Sequence, residues 1–456
     1  MILSRLGLGH SIKKDLRGGV SLLVCAALIG STPYIRAQAA DFTCGTGKLA
    51  AGSQRLDGEF VYSLPDATNP RGNAGFDLAP APHDDGSSCW SDQPFYFSIA
   101  EPDGNYKVTV ELGTDSGAST TTVRAESRRL MVQQAAIAKG KRLEESFIVH
   151  VRTAEIHSQD GEAKKVRLKP REIGALDWDE KLTLEFNGVH PSVRSIRIEP
   201  VSDVPTIYLA GDSTVVDQDK EPWAAWGQIL PRFFSSDISI ANEAESGETI
   251  RSFVSENRLA KIMSTIKSGD YLLIQFAHND QKPGAGYVPA ETEYKDLMRR
   301  YIAEARSHGA FPAVVTAMNR RKFGADGHLE MTLGDYPQAA RDVAAEQKVP
   351  LIDLNAMSNV LFETMGEQGT LKAFVHYPEH SFPGQDEELK DDTHFNSYGA
   401  YELARCVVQS MRDQQLSMAK YLRTDTGRFD PAHPDDVMKF DLPASPMIST
   451  ATPYGR

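Results

Sequence analysis

Four short polar stretches carry the residue types that acyl transfer needs. The first is Gly211-Asp212-Ser213-Thr214, which follows an apolar run and precedes a segment of helical character. A serine there stands at a strand end with its own amide N–H beside it, although the same four residues also read as a turn whose Ser or Thr caps a helix. Lys390 to Gly399 reads as a polar loop ahead of a helix and contains Asp391-Asp392-Thr393-His394. An Asp three residues before a His can fold back onto one ring nitrogen and leave the other facing a serine. A helix cap by Asp391 or Asp392 with a solvated His394 is the structural alternative, and Asp392 replaces Asp391 as the partner if the turn is tighter. Between these stretches, Asn242 to Thr249 holds Gly247 in a polar turn, and Phe276-Ala277-His278-Asn279-Asp280 closes another apolar run. A Gly amide and an Asn side-chain amide are suitable donors to a developing oxyanion, although singly each is as common in a structural turn.

The elements that must position these residues follow from hydrophobic period. From Pro205 onward, short apolar runs at Pro205–Ala210, Ile238–Ala241, Tyr271–Phe276, Ala313–Thr316 and Leu351–Asp353 read as strands buried on both faces. Helical stretches lie between them, Trp223 to Phe234 and Tyr294 to Ala305 among them. This alternation predicts a parallel, doubly wound α/β sheet with its site beyond the carboxyl ends of the strands. From about Phe42 to Val201 the pattern changes to period two, with runs at Phe95–Ile99, Tyr106–Leu112, Thr121–Ala125, Phe147–Val151, Leu182–Phe186 and Val193–Ile198. Turn residues separate these runs, which predicts an antiparallel β-sandwich. The expected division is a signal peptide over 1–39, the sandwich over 40–203, the α/β domain over 204–422 and an irregular tail over 423–456 that wraps the surface or is partly disordered.

Taken in chain order, Gly-Asp-Ser, Gly247 in a turn opened by Asn242, Asn279-Asp280 and Asp391-x-x-His394 resemble the four blocks of the SGNH (GDSL-like) hydrolase superfamily. The resemblance spans roughly Pro205 to Asp413 and implies a three-layer αβα hydrolase. It also implies that Ser213 is the nucleophile, His394 the general base and Asp391 its orienting partner, with Ser213 N–H, Gly247 N–H and Asn279 as the oxyanion hole. Ala277 stands where that pattern usually has Gly, so a small displacement of the Asn279 loop is expected. Within the superfamily, Gly211–Val215, His278-Asn279-Asp280, Asn319-Arg320-Arg321, Thr332–Pro337 and Asp391–Asn396 resemble the rhamnogalacturonan acetylesterases. Several bacterial members of that group carry a β-sandwich ahead of the hydrolase, here expected to be galactose-binding-like. The implied activity is removal of O-acetyl groups from rhamnogalacturonan or pectin through an acetyl-enzyme, without metal or cofactor. Acetylxylan or another acetylated glycan is the alternative substrate, and a carbohydrate-binding protein without turnover is the alternative of another class.

A galacturonate-bearing chain calls for cations at the site. Arg251, Arg320 and Arg321 are candidates by position, as is His278, and each also reads as an ordinary surface charge or strand cap. Trp223 and Trp226 read as core packing more readily than as sugar platforms. The formal charge of −13 argues against a nucleic-acid partner and against long-range attraction of a polyanion, so any such binding must be local. Arg5, Lys13, Lys14 and Arg17 precede the apolar run Val20–Ile29 and the small-residue stretch Ala37-Gln38-Ala39, the pattern of a secretory signal too short to remain as a membrane span. Cys25 lies in that run behind bulky Val24, which disfavours a lipid anchor. A secreted or periplasmic location follows, and with it a disulfide between Cys44 and Cys89, the two cysteines of the strand-rich part. Cys406 falls on the apolar face of a late helix as a buried thiol.

Overall fold

The computed structural model describes residues 39–46, 49, 52–56, 74–157 and 163–453. The expected signal segment, Cys25 included, lies outside the described residues apart from Ala39.

Five fully parallel strands form the sheet of the second part: Thr206–Gly211, Ser239–Asn242, Tyr271–Gln275, Phe311–Val315 and Leu351–Ile352. In space the second strand lies outside the first, and the third, fourth and fifth follow on the first strand's other side. Both faces are covered, which is why these runs are apolar without alternation. Ile207, Leu209, Leu273 and Val315 face one core with Trp226, Leu403 and Val407, while Tyr208, Ala210, Leu272 and Ile274 face the other with Phe253, Ile262 and Tyr301. The chain reverses its direction of travel across the sheet between the first and third strands, so a crevice opens beyond their carboxyl ends. Ser213 and Asn279 stand at those two ends.

Among the described residues, the first part carries two large sheets and a two-stranded pair of Glu155–His157 with Ala163–Lys165. One carries Leu143–Val151, Gly104–Leu112, Ser192–Val201, Ala40–Thr43 and Ser53–Arg55 in spatial order, and the other carries Ala74–Asp77, Phe95–Ala100, Lys181–Val189, Ser119–Ala125 and Arg129–Ile137. Pairing is antiparallel except between Ala40–Thr43 and Ser53–Arg55. The two sheets share one apolar core, with the Phe42 and Phe97 rings 5.1 Å apart across it. Cys44 and Cys89 are joined, with Cα atoms 5.4 Å apart.

Several segments differ from the sequence reading, and three bear on the site. The helix expected from Trp223 to Phe234 is only Trp226–Ile229, continued by the tighter turn Leu230–Phe233, because Pro231 removes a donor from the α ladder. Lys390 to Gly399 is not a loop: Leu389–Phe395 is a strand paired with Phe374–Tyr377, a partner that local polarity does not reveal. The strand Arg129–Ile137 has no counterpart in the sequence reading, and its Leu130 packs not in the core of its own sheets but among Trp226, Ile229 and Phe233 of the second part.

The tail over 423–453 is irregular, and part of it is buried between the two parts. The Arg124 and Asn187 side chains of the first part donate to Pro443 and Ala444 carbonyls, and Trp223 Nε1 of the second part donates to Ser449 O at 2.9 Å. Among the described residues, no helix is long and apolar enough to cross a membrane.

Candidate active site

The turn after the first strand is built around close packing and a buried carboxylate. Gly211 is required by space, since a Cβ there would lie 2.5 Å from Val215 Cγ2 and 3.0 Å from the Gln275 carbonyl. Asp212 Oδ1 accepts from the Thr214 amide (2.9 Å) and hydroxyl (2.7 Å), which shapes the turn that presents Ser213. Gln218 Nε2 donates to Ser213 O at 2.9 Å and holds the turn from its other side.

Ser213, His394 and Asp391 form one hydrogen-bonded chain. Ser213 Oγ lies 2.9 Å from His394 Nε2, and His394 Nδ1 lies 2.9 Å from Asp391 Oδ2. A carboxylate only accepts, so the ring proton sits on Nδ1 and the Nε2 lone pair faces the serine hydroxyl. The pairing of Leu389–Phe395 with its neighbour sets this up: Val375 opposes Asp391 and Phe374 opposes Phe395, so Asp392, Thr393 and His394 bulge out between them. Asp391 Oδ1 accepts the amides of Thr393 (2.8 Å) and His394 (2.9 Å), tying the bulge to the carboxylate that orients the ring. Burial pushes the Asp391 carboxyl up, but the hydrogen bonds it accepts from His394 and these amides hold it below the ordinary carboxylate range. Trp223 packs edge-on against the His394 ring at 5.9 Å. Asp392 points elsewhere, to His376 Nε2 (2.8 Å) and Arg321 Nη1 (3.1 Å). The helix that follows, Ser397–Asp413, is capped by Asn396 rather than by either Asp.

The loops that carry Gly247 and Asn279 are tied to this turn and to each other. Glu245 N donates to Gly211 O (3.1 Å), Asn279 Nδ2 donates to Glu248 O (2.9 Å) and Ile250 N donates to Asp280 Oδ1 (2.8 Å). Gly247 adopts φ +80°, a backbone conformation that other residues reach only with strain. Ala277 is buried, and the Asn279 amide reaches the adjoining loop.

His278 is 1 % exposed, with Nδ1 3.6 Å from Asp212 Oδ2. Burial pushes its pKa down despite Asp212, which favours the neutral ring. The three arginines separate clearly. Arg251 pairs with Glu293 and donates to the carbonyls of Ala285 and Tyr287, and Arg321 pairs with Asp392 and donates to Glu367 O. Arg320 forms no ion pair with a carboxylate among the described residues. It donates to His278 O (3.0 Å) and Thr332 Oγ1 (3.4 Å), and turning the Gln281 amide so that it donates to Thr332 O places its oxygen 2.6 Å from Arg320 Nη1. Asp212 and Asp391 are the carboxylates whose fields act on this guanidinium. On the Trp223 and Asp391 side lies a cavity of about 450 Å³ lined also by Asp386, Glu387, Glu388 and Thr450.

Gln218, the cavity formed by the 384–390 segment with the tail, and a set of first-part residues that reach the site loops belong to no motif legible in the sequence. Arg128 donates to Gln218 O (3.0 Å) and Trp223 O (2.9 Å), Arg129 pairs with Asp217 (2.7 Å), and Lys169 and Arg171 meet Glu248 and Glu245. The only local hint is two consecutive arginines leading an apolar strand, Arg128-Arg129-Leu130-Met131.

Residues 209–400 match the GDSL-like Lipase/Acylhydrolase family. The chain is 39% identical over 224 residues to the rhamnogalacturonan acetylesterase RhgT of Bacillus subtilis (strain 168), covering 49% of this chain and 96% of that one. It is 34% identical over 218 residues to the probable rhamnogalacturonan acetylesterase YesY of the same organism, covering 47% and 95%. It is also 28% identical over 330 residues to the uncharacterized esterase YxiM of that organism, covering 70% and 75%. With a relative at 39% identity covered over 96% of its length, the chain belongs to the GDSL-like lipase/acylhydrolase family and is a carboxylic ester hydrolase.

Proposed function

We propose that this protein is an exported serine acetylesterase that removes O-acetyl groups from a plant cell-wall polysaccharide, with acetylated rhamnogalacturonan as its preferred substrate. The observation that carries the reading is the chain Ser213–His394–Asp391, with both links at 2.9 Å and buried away from competing partners. His394 Nε2 takes the Ser213 proton as Oγ attacks the acetyl carbonyl carbon, and the carbonyl electron pair moves onto oxygen. Amides of Ser213 and Gly247 and the Asn279 side chain stabilise that oxyanion. The tetrahedral centre collapses, the carbonyl re-forms, the bond between the acetyl carbon and the sugar oxygen breaks, and His394 returns its proton to the leaving sugar oxygen. Water then attacks the acetyl-enzyme with the same proton traffic, releasing acetate and restoring Ser213. Asp391 keeps the imidazole in the required tautomer throughout.

Three further features support the substrate half of the reading. The relatives at 39% and 34% identity carry the name rhamnogalacturonan acetylesterase. Arg320, which pairs with no carboxylate among the described residues, is a suitable recipient for a galacturonate carboxylate. The acidic lining of the cavity beside Trp223 disfavours a uronate there and suits a neutral sugar. Export accords with the basic-then-apolar pattern before Ala40 and with the Cys44–Cys89 disulfide. The two-sheet first part is read as a galactose-binding-like sandwich over 40–203, followed by the hydrolase domain over 204–422.

The test is acetate release from acetylated rhamnogalacturonan, acetylated homogalacturonan and acetylated xylan, each with the intact chain and with Ser213→Ala. The expected result is the highest kcat/KM on rhamnogalacturonan, with S213A losing at least ~10⁴-fold on every substrate and on p-nitrophenyl acetate. Full activity in S213A overturns the mechanism, and a preference for xylan overturns the substrate.

A further inference from the structure

Lys169 belongs to the first part of the chain yet reaches the loop around Gly247. Its ammonium lies 2.8 Å from Ser246 O and 2.5 Å from Glu248 Oε1, so a single cation grips the residues on either side of Gly247. Glu248 is fully buried and its backbone carbonyl accepts the Asn279 side-chain amide at 2.9 Å. The grip therefore reaches both donors assigned to the oxyanion beyond Ser213 itself.

The segment that carries Lys169 is held rigidly. Lys169 precedes Pro170 and is extended (φ −74°, ψ 154°), the conformation a following proline favours, and its amide donates to Glu172 Oε2 at 2.7 Å. Glu172 in turn forms a two-point pair with Arg258 (3.0 and 2.5 Å), and Arg171 pairs with Glu245. Arg258 also lies 3.5 Å from Glu248, so the anchoring pair and the gripped loop belong to one buried charge cluster. Charge pairs of this kind are costly to break on one side, which keeps the loop in one position.

We propose that Lys169 is a positioning residue for the oxyanion side of the active site, so that the first part of the chain completes the catalytic geometry rather than serving as an appended module. This rests on the assignment of Ser213, Gly247 and Asn279 made above. Loss of the cation lets the Ser246–Glu248 peptide groups and the Asn279 amide drift, which weakens stabilisation of the transition state while leaving ground-state binding of a small acetyl ester nearly unchanged.

The experiment compares the full-length chain with Lys169→Met, Lys169→Arg and Ser213→Ala on p-nitrophenyl acetate, a substrate too small to touch the first part. Lys181→Met serves as the control, since Lys181 pairs with Asp77 and Asp179 within the first part. K169M is expected to lower kcat by about 10- to 100-fold with KM moving less than about twofold. K169R, which keeps a cation over the same oxygens, is expected to recover most of that loss, and K181M to keep full kcat whatever its effect on thermal unfolding. If K169M is not recovered folded, K169Q is judged by the same kcat and KM criteria. Unchanged kcat in the Met or Gln variant, no recovery in K169R, or an equal kcat loss in K181M overturns the positioning role. The two assignments fail separately: an active S213A removes the nucleophile, whereas an inactive S213A beside a fully active K169M removes only the role of Lys169.

Discussion

Asp391 and Asp392 are neighbours with the same side chain, and the backbone sends them in opposite directions. Asp391 is buried with one oxygen on His394 Nδ1 and the other on two amides, whereas the Asp392 side chain is about half exposed and meets Arg321 and His376. An orienting carboxylate matters because without it the imidazole loses its tautomer and the stabilisation of its charged form. Asp391→Ala is therefore expected to lower kcat on p-nitrophenyl acetate by about 10³- to 10⁴-fold. Asp392→Ala removes an ion pair at the rim and is expected to cost less than ~10-fold in kcat. Equal losses in the two variants, measured side by side, refute the assignment. The Asp-x-x-His spacing made both residues visible as candidates. Only the bulge between Asp391 and Phe395 separates them, because that bulge depends on pairing with Phe374–Tyr377.

The tail is the element whose role the sequence conceals. Rich in Pro and Asp and without period, it has nothing to mark it as more than a surface segment. Yet Glu221 N donates to Met447 O (2.8 Å), Ser449 N donates to Glu221 O (2.9 Å) and Ser445 N donates to Glu221 Oε1 (3.1 Å), while Trp223 Nε1 donates to Ser449 O. These bonds hold the chain just before the short helix at Trp226, and Trp223 is the ring against His394. Truncation after Asp441 strips partners from Glu221, Arg124, Asn187 and Trp223 at once. At about 1 kcal/mol for each of these six hydrogen bonds, the expected loss is about 6 kcal/mol in urea unfolding. A fall in kcat is expected to accompany it as the Trp223 packing loosens. An unchanged unfolding midpoint in the truncated chain refutes this account of the tail.

Buried carboxyls that form no ion pair among the described residues, Asp280, Glu101, Glu402 and Glu126 among them, shape the pH response of the whole molecule. Burial pushes Asp280 up to about 8, Glu101 to about 7 and Glu402 to about 7. In the unfolded chain each loses its proton near pH 4, so between about pH 4 and 7 the folded state binds more protons than the unfolded state. Stability from these groups therefore falls as pH rises through that window. Asp391 and Asp212 act in the opposite sense: their carboxyls are held below the usual range, and the stability they add above the unfolded pKa is lost as pH falls below it. Thermal unfolding is expected to show highest stability near pH 5, declining toward pH 8. Asp280→Asn, which keeps the shape without the proton, is expected to flatten the alkaline limb. A midpoint that rises steadily from pH 5 to 8 contradicts this reading.

What the sequence determined alone is whatever depends on local order. The two-faced burial of parallel strands leaves continuous apolar runs, alternation marks the strands of the first part, and strand-end residues must carry the chemistry, so Ser213, Gly247, Asn279, Asp391 and His394 were all visible as candidates. Tertiary structure decided everything that depends on which distant segments meet. Arg251 and Arg321 are occupied by Glu293 and Asp392, whereas Arg320 meets no carboxylate among the described residues. Leu130 enters the core of the second part, and Lys169 grips a loop 77 residues further along the chain. A buried charge is stable only beside its partner, and that partner is chosen by the packing of two folded parts, about which the local residue pattern carries no information.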